Sequence, residues 1–338
     1  MAEPEVEKAR EKNKKIGKVD SRLIFNLDDL RFGTHQEVAK YRAVRLKCSF
    51  ILELGCGVGF QTAAFAKTCK RVIAVDSDNR KIEYAKKNME TLGIRNVEFI
   101  AGNGEALDIK GRPDIVFCDP ERPPEEQERT VDAMRPNPAK VVRHYSAKSF
   151  CFELPPQIQE IPFDCEREYV SVDGKLNRLN IYIGGIKRHG LSAVILPGGH
   201  LLTRSKKKLA KTTRPKEYLA EVNPAVIKAG LSSGIPADGM IISMGKHTFI
   251  TSDHPIESPF VTSRFRIVAT AKSLADATAR LKAHGFGKSV LRGEIPPDKY
   301  WDIRAKIERG LAGNKTAHLF MFDEFWICEK IYPERDNY

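Results

Sequence analysis

Ile51-Leu-Glu-Leu-Gly-Cys-Gly-Val-Gly59 joins two segments of opposite character. Phe50 to Glu53 is a short apolar run closed by an acid, the pattern of a buried strand, whereas Thr62-Ala-Ala-Phe-Ala-Lys67 has helical composition. Between them Gly55, Gly57 and Gly59 let the backbone turn sharply and approach a ligand where a side chain would collide. The turn also delivers free amide N–H groups at a helix start. By itself such a turn is weak evidence, because several classes of cofactor site use one.

The flanking strands carry more information. Arg71-Val-Ile-Ala-Val-Asp76 is a second β-branched strand ending in a carboxylate, where a doubly wound fold places its ribose acceptor. Val97 to Ile100 reads as a third strand leading into Ala101-Gly-Asn-Gly-Glu105, and Asp114 to Cys118 as a fourth ending in Asp119-Pro120. Glu53, Asp76, Asn103 and Asp119 at successive strand ends, in this order, form a more specific pattern than the glycines. The order resembles the class I S-adenosylmethionine-dependent methyltransferases over about residues 46–200. That resemblance implies a Rossmann-like α/β domain with a seven-stranded, mostly parallel sheet.

Composition sets the outer bounds. The chain has 338 residues, enough for two domains, and 41% hydrophobic content, ordinary for a globular protein. It contains no run of 18 apolar residues, and the acidic start Met1-Ala-Glu-Pro-Glu-Val-Glu lacks the apolar core of a signal peptide. Seven cysteines without C-x-x-C spacing argue for reduced thiols in a cytoplasm, against a disulfide framework, and against a metal site. The net charge of +12 favours a polyanionic partner. Between Leu201 and Gly230, eight basic residues stand against Glu217 and Glu221, half of the whole excess. Arg204, Lys206, Lys207, Lys208, Lys211 and Arg214 are thus candidate phosphate contacts, with a solvated linker as the plainer alternative.

Along the chain, residues 1–20 read as a frayed or helical arm. Thr34-His-Gln-Glu37 has the form of a capping box opening a helix from Val38 to Leu46, and Phe32-Gly-Thr-His-Gln36 is either that helix start or a lid on the cofactor pocket. Asn79 to Leu92 is an amphipathic helix with Ile82, Ala85, Met89 and Leu92 inward and Gly93 as its cap. Lys140 to Arg143 reads as a fifth strand, and Phe150 to Pro156 as a segment approaching a helix. Arg167 to Val172, Leu176 to Ile183 and Leu191 to Leu196 read as closing strands, the last two as a hairpin through Gly184-Gly185. Tyr218 to Gly230 reads as a proline-started helix, and from about residue 260 strands and helices alternate as a smaller α+β unit.

Val222-Asn-Pro-Ala-Val-Ile-Lys-Ala-Gly230, Arg292-Gly293 and Arg309-Gly310 resemble a family of methyltransferases carrying a C-terminal THUMP-like domain. Its members also carry an Asp-Pro-x-Arg motif, matched by Asp119-Pro120-Glu121-Arg122, and a helix like Val38 to Arg45 before the glycine loop. A more distant likeness is to cap-guanosine and guanine-N2 methyltransferases. The organisation expected is a helical arm and lid (1–45), a methyltransferase domain (46–200), a basic linker and helix (201–230) and a THUMP-like domain (231–338).

The resemblance implies S-adenosylmethionine as cofactor, held by Glu53, Gly55, Cys56, Gly57, Gly59, Asp76, Ser77, Asn103, Gly104 and Asp119, with Asn103 where the family carries an acid. Asp119, Pro120 and Arg122 are the candidate catalytic residues. In amino-directed nucleic-acid methyltransferases this loop reads Asp/Asn-Pro-Pro-aromatic. The acid accepts from the amino group and the aromatic stacks the base, but here Glu121-Arg122 replaces the last two. Cys118 as a pyrimidine-attacking nucleophile is disfavoured, since alternation puts it on the strand face opposite Asp119. Cys56 reads as a small filler; His144 and Tyr145 are either substrate-mouth or packing residues. The leading expectation is a methyltransferase acting on a base nitrogen in tRNA or rRNA. A protein or small-molecule methyltransferase, and a non-catalytic RNA-binding protein on the same scaffold, remain alternatives.

Overall fold

A computed structural model describes residues 4–121, 130–245 and 247–332. Arg122 therefore lies outside the described residues. The chain divides into two compact units, Met1–Leu201 and Leu202–Tyr338.

In the first unit, helices α1 (Pro4–Ile16), α2 (Leu27–Phe32) and α3 (Gln36–Arg45) precede strand β1 (Phe50–Leu54), helix α4 (Phe60–Thr68), β2 (Arg71–Asp76), α5 (Asn79–Thr91), β3 (Val97–Ala101) and β4 (Ile115–Cys118). Then follow α6 (Pro138–His144), β5 (Ser149–Leu154), β6 (Glu166–Val172), β7 (Lys175–Gly184), β8 (Leu191–Leu196) and β9 (His200–Thr203). The sheet runs β3-β2-β1-β4-β5-β7-β6-β8-β9, nine strands rather than seven. β1 to β5 pair in parallel, while β7 runs antiparallel between β5 and β6. Strand order reverses between β1 and β4, so their carboxyl ends flank a crevice, the general ligand site of such sheets.

Several sequence expectations need correction. Lys140 to Arg143 belongs to helix α6, because Asn137 caps it by accepting from the Lys140 amide (3.1 Å) and Pro138 presets its first turn. Phe150 to Leu154 is itself the fifth strand, fully buried. The hairpin joins β6 to β7 through Asp173 and Gly174, both at positive φ, whereas β8 pairs in parallel with β6. His35, not Thr34, caps α3, through Nδ1 accepting from the Glu37 amide at 3.2 Å. Asn26 and Asp29 form a true capping box on α2, an element the sequence reading missed.

The second unit has an eight-stranded sheet and starts within the supposed linker. β10 (Ala210–Lys211) and β11 (Tyr218–Val222) are strands, and only Pro224–Lys228 (α7) is helical. β12 (Met240–Met244), β13 (His247–Ser252), β14 (Val261–Ala271), α8 (Leu274–Ala283), β15 (Phe286–Gly293), α9 (Tyr300–Glu308), β16 (Lys315–Met321) and β17 (Phe325–Ile331) follow. The order is β10-β12-β13-β11-β14-β17-β16-β15, which puts β11 inside the sheet. Leu219 and Ala220 are buried there, which a linker would not require. Ala277, Leu281 and Ile307 of α8 and α9 pack with Leu291, Leu319 and Ile327 of the sheet.

In the first unit the apolar core between α4, α5 and the sheet includes Ile51, Phe65, Val72, Ile82 and Phe117. On the β5-β7-β6 side, α3 is attached by charge. Arg42, fully buried, pairs with Glu153 and donates to Asn180 Oδ1 (3.0 Å) and Gln61 Oε1 (2.7 Å). Arg45 pairs with Glu166 at 2.9 Å, and Tyr41 donates to Glu168 at 2.7 Å. Removing one partner of such a buried pair strands the other. Arg42→Ala is therefore expected to lower the unfolding free energy by about 3–5 kcal/mol in urea titration; an unchanged midpoint would contradict this account of α3.

Candidate functional site

The glycine loop meets β4 at the crevice. Gly55 has φ of 80°, and a Cβ on it would lie 2.8 Å from the Asp119 carbonyl oxygen, so both handedness and close approach demand glycine. The Gly55 and Cys56 amides donate to the Val75 carbonyl at 2.9 and 3.0 Å, and the Gly57 amide to Asp76 Oδ2 at 2.8 Å. Asp76 also accepts from the Asp78 amide at 2.9 Å, so its carboxylate fastens the loop as well as facing the crevice.

Two adjoining cavities open here. One, of about 490 Å³, is lined by Asp76, Ser77, Asn103, Gly104 and Arg135 among others. The other, of about 300 Å³, is lined by Glu53, Cys56, Gly57, Phe32, Gly33 and Phe117 among others. Gly55, Lys81, Asp119 and Glu121 border both. The structure thus brings Glu53, the loop, Asp76, Ser77, Asn103, Gly104 and Asp119 to one place.

Details differ from the sequence expectation. The Asn103 side-chain Oδ1 accepts from the Glu105 amide at 3.0 Å, a turn within its own loop. Tyr145 is buried and donates to the Gly104 carbonyl at 2.9 Å, while His144 lies 3.1 Å from the Leu107 carbonyl, so both support the loop. Pro120 is buried. Cys56 and Cys118 are buried, and burial pushes both thiols well up, away from nucleophilic thiolate. Arg204, Lys206, Lys207, Lys208, Lys211 and Arg214 lie in the second unit; all six are exposed and none forms an ion pair among the described residues.

The carboxylates are unusual. Burial pushes Glu53 up to about 8, and its Oε2 is buried with no hydrogen-bond partner. Burial, then the neighbouring Glu153 charge, push Asp119 up to about 8 as well. Burial also acts to raise Glu153, yet Arg42 and Arg178 hold it below the ordinary carboxylate range. Register explains the adjacency: Cys118 lies beside Phe152, which sets Asp119 next to Glu153.

A family model for a methyltransferase domain matches residues 51–136. Those residues form a methyltransferase domain. An uncharacterized RNA methyltransferase of Gloeobacter violaceus is 36% identical over 72 residues, 21% of this chain and 16% of that protein. An uncharacterized S-adenosylmethionine-dependent methyltransferase of Mycobacterium tuberculosis is 22% identical over 219 residues, 62% of this chain and 60% of that protein. The chain thus spans less than two thirds of these relatives' length. A solved methyltransferase structure from Porphyromonas gingivalis W83 matches with TM-score 0.72 at 14% identity, over 96% of this chain and 88% of that one, a likeness of fold. The matches are thus to methyltransferase domains, among them ones named S-adenosylmethionine-dependent.

The residues present suit that cofactor. The unpartnered Glu53 oxygen is an acceptor for an ammonium group beside the loop amides, and Asp76 keeps lone pairs for hydroxyl donors. Phe32 lines the cavity within the segment read from sequence as helix start or lid, whereas Arg42, Lys81, Glu153 and Arg178 were missed, because their partners lie far away along the chain.

A cationic ligand group beside Glu53 favours its ionised form, so binding below pH 8 must release a proton. Affinity should rise with pH until about 8 and then level off. Calorimetry in buffers of different ionisation heat should show release approaching about one proton at pH 6.5, absent in Glu53→Gln. Equal heats in all buffers would contradict this role.

Proposed function

We propose that the protein transfers a methyl group from S-adenosylmethionine to a base nitrogen in tRNA or rRNA. The observation that carries the reading is Asp119 at the junction of the two cavities, with one border towards Asp76 and Asn103 and the other towards Glu53 and Phe32. The cofactor supplies an activated methyl group, so the protein's task is alignment and exclusion of water. Glu53 holds the ammonium of the methionyl end beside the close-approaching backbone of the Gly55, Cys56 and Gly57 turn, which Gly59 ends against α5; Asp76 and Ser77 hold the ribose, and Asn103 and Gly104 the adenine. Asp119 accepts from the amino group of the target base, with Pro120 setting the turn. The base reaches the cavity flipped from its strand.

The exposed, unpaired Arg204, Lys206, Lys207, Lys208, Lys211 and Arg214 support RNA backbone binding by the second unit, read as THUMP-like. Several relatives are named RNA methyltransferases. All seven cysteines are free, in keeping with a cytoplasmic site of action.

Purified protein with radiolabelled S-adenosylmethionine and total RNA from cells lacking the gene is expected to label RNA. Asp119→Ala should reduce labelling by at least about 100-fold while cofactor binding stays measurable. Because the ionised Asp119 is the stronger acceptor, the wild-type rate should climb with pH towards about 8. Label in protein or small molecules instead of RNA would overturn the substrate assignment.

A further inference from the structure

Amino-directed nucleic-acid methyltransferases place a stacking aromatic beside the Asp-Pro pair, and here Glu121 and Arg122 occupy those positions. The structure offers a replacement from a distant part of the chain. Phe32, at the end of α2, lines the same cavity as Asp119 and is 58% exposed. Among the described residues of the first unit it is the one exposed Phe, Tyr or Trp ring.

It is held rigidly. The capping box of Asn26 and Asp29 starts α2, and Asp29 is clamped by both Arg80 guanidinium nitrogens at 3.0 and 3.1 Å. At the other end, Lys18 Nζ donates to the Leu30 and Arg31 carbonyls (2.7 and 2.9 Å). Arg178 Nη2 donates to the Phe32 carbonyl at 3.4 Å. Cations at a helix C-terminus complement its dipole. The next residue, Gly33, approaches the Phe60 ring so closely that a Cβ there would lie 2.4 Å from it. Arg178 also pairs with Glu153, the residue beside Asp119, so one guanidinium holds the Phe32 backbone carbonyl and the acid's neighbour together. The Arg31 guanidinium sits 5.0 Å from the Phe32 ring centroid and forms no ion pair among the described residues.

We infer that Phe32 is the stacking platform for the target nucleobase, with Arg31 available to the nucleotide's phosphate. The inference rests on the proposed nucleobase substrate and names the residue that positions it. A base whose amino group meets Asp119 lays its π-face against the phenyl ring. Stacking of this kind tolerates any base, so Phe32 contributes affinity and orientation, and Asp119 contributes the choice of an amino-bearing ring.

The test compares wild type with Phe32→Ala, Phe32→Tyr and Phe32→Trp. Phe32→Ala should keep its melting midpoint and its affinity for S-adenosylhomocysteine, while kcat/KM for RNA falls roughly 10- to 100-fold. Phe32→Tyr and Phe32→Trp should return it to within about threefold of wild type. Unchanged kcat/KM in Phe32→Ala, or no rescue by the aromatic variants, overturns the inference. Loss of S-adenosylhomocysteine affinity parallel to the loss of rate also overturns it, making Phe32 a cofactor clamp. A second arm does not depend on RNA being the substrate: indole fluorescence of Phe32→Trp loaded with S-adenosylhomocysteine and titrated with AMP, GMP, CMP and UMP. Quenching beyond that seen in wild type supports stacking even if wild type labels no RNA, in which case the RNA assignment alone fails. No extra quenching overturns the stacking role.

Discussion

The ion pair between Arg42 and Glu153 ties four parts of the chain together at one buried point. Arg42 comes from a helix before the first strand, Glu153 from the fifth strand, and the same guanidinium also bonds Gln61 of α4 and Asn180 of β7. Phe117 of β4 lies under it at 4.6 Å from the ring centroid. A buried pair repays its desolvation only when its remaining lone pairs and protons are satisfied. Here Arg178, Asn180 and Gln61 satisfy most of them, although Arg42 Nε has no partner. The pair is therefore better understood as fixing geometry than as adding stability. It locks α3 against the strand ends from which the crevice is built.

That geometry has an electrostatic consequence. Glu53, Asp119 and Glu153 end three neighbouring strands, and three carboxylates cannot all ionise in a buried space. The two arginines keep Glu153 charged, which leaves Glu53 and Asp119 to carry protons towards pH 8. Both protonated groups face cavities, where an incoming cation or donor can shift them. A crevice with acceptors that ionise on binding suits a cofactor that carries positive charge at its ammonium and sulfonium groups.

Much of the crevice was legible in the sequence because it follows local rules. Glycines at 55, 57 and 59 demand positive φ, and acids at the ends of β1, β2 and β4 follow from strand period and length. The helix at Pro138 carried a readable Asn-Pro start that β-branched Val141 and Val142 obscured. What could not be read is long-range. Arg42 lies 111 residues from Glu153, and Arg178 lies 146 from Phe32, so no spacing rule reaches them. Nor does any local pattern mark Arg42 as a core residue, although it is as fully buried as Val38 on the same helix. The basic stretch misled in the same way, since its charge suggested a linker while Leu219 and Ala220 follow as buried strand residues.

The most direct test is a crystal structure with S-adenosylhomocysteine bound. The account predicts the amino group within about 3.2 Å of a Glu53 oxygen and the ribose hydroxyls on Asp76, with the sulfur facing the cavity bordered by Asp119 and Phe32. A ligand bound elsewhere, or one whose sulfur points away from Asp119, would contradict it.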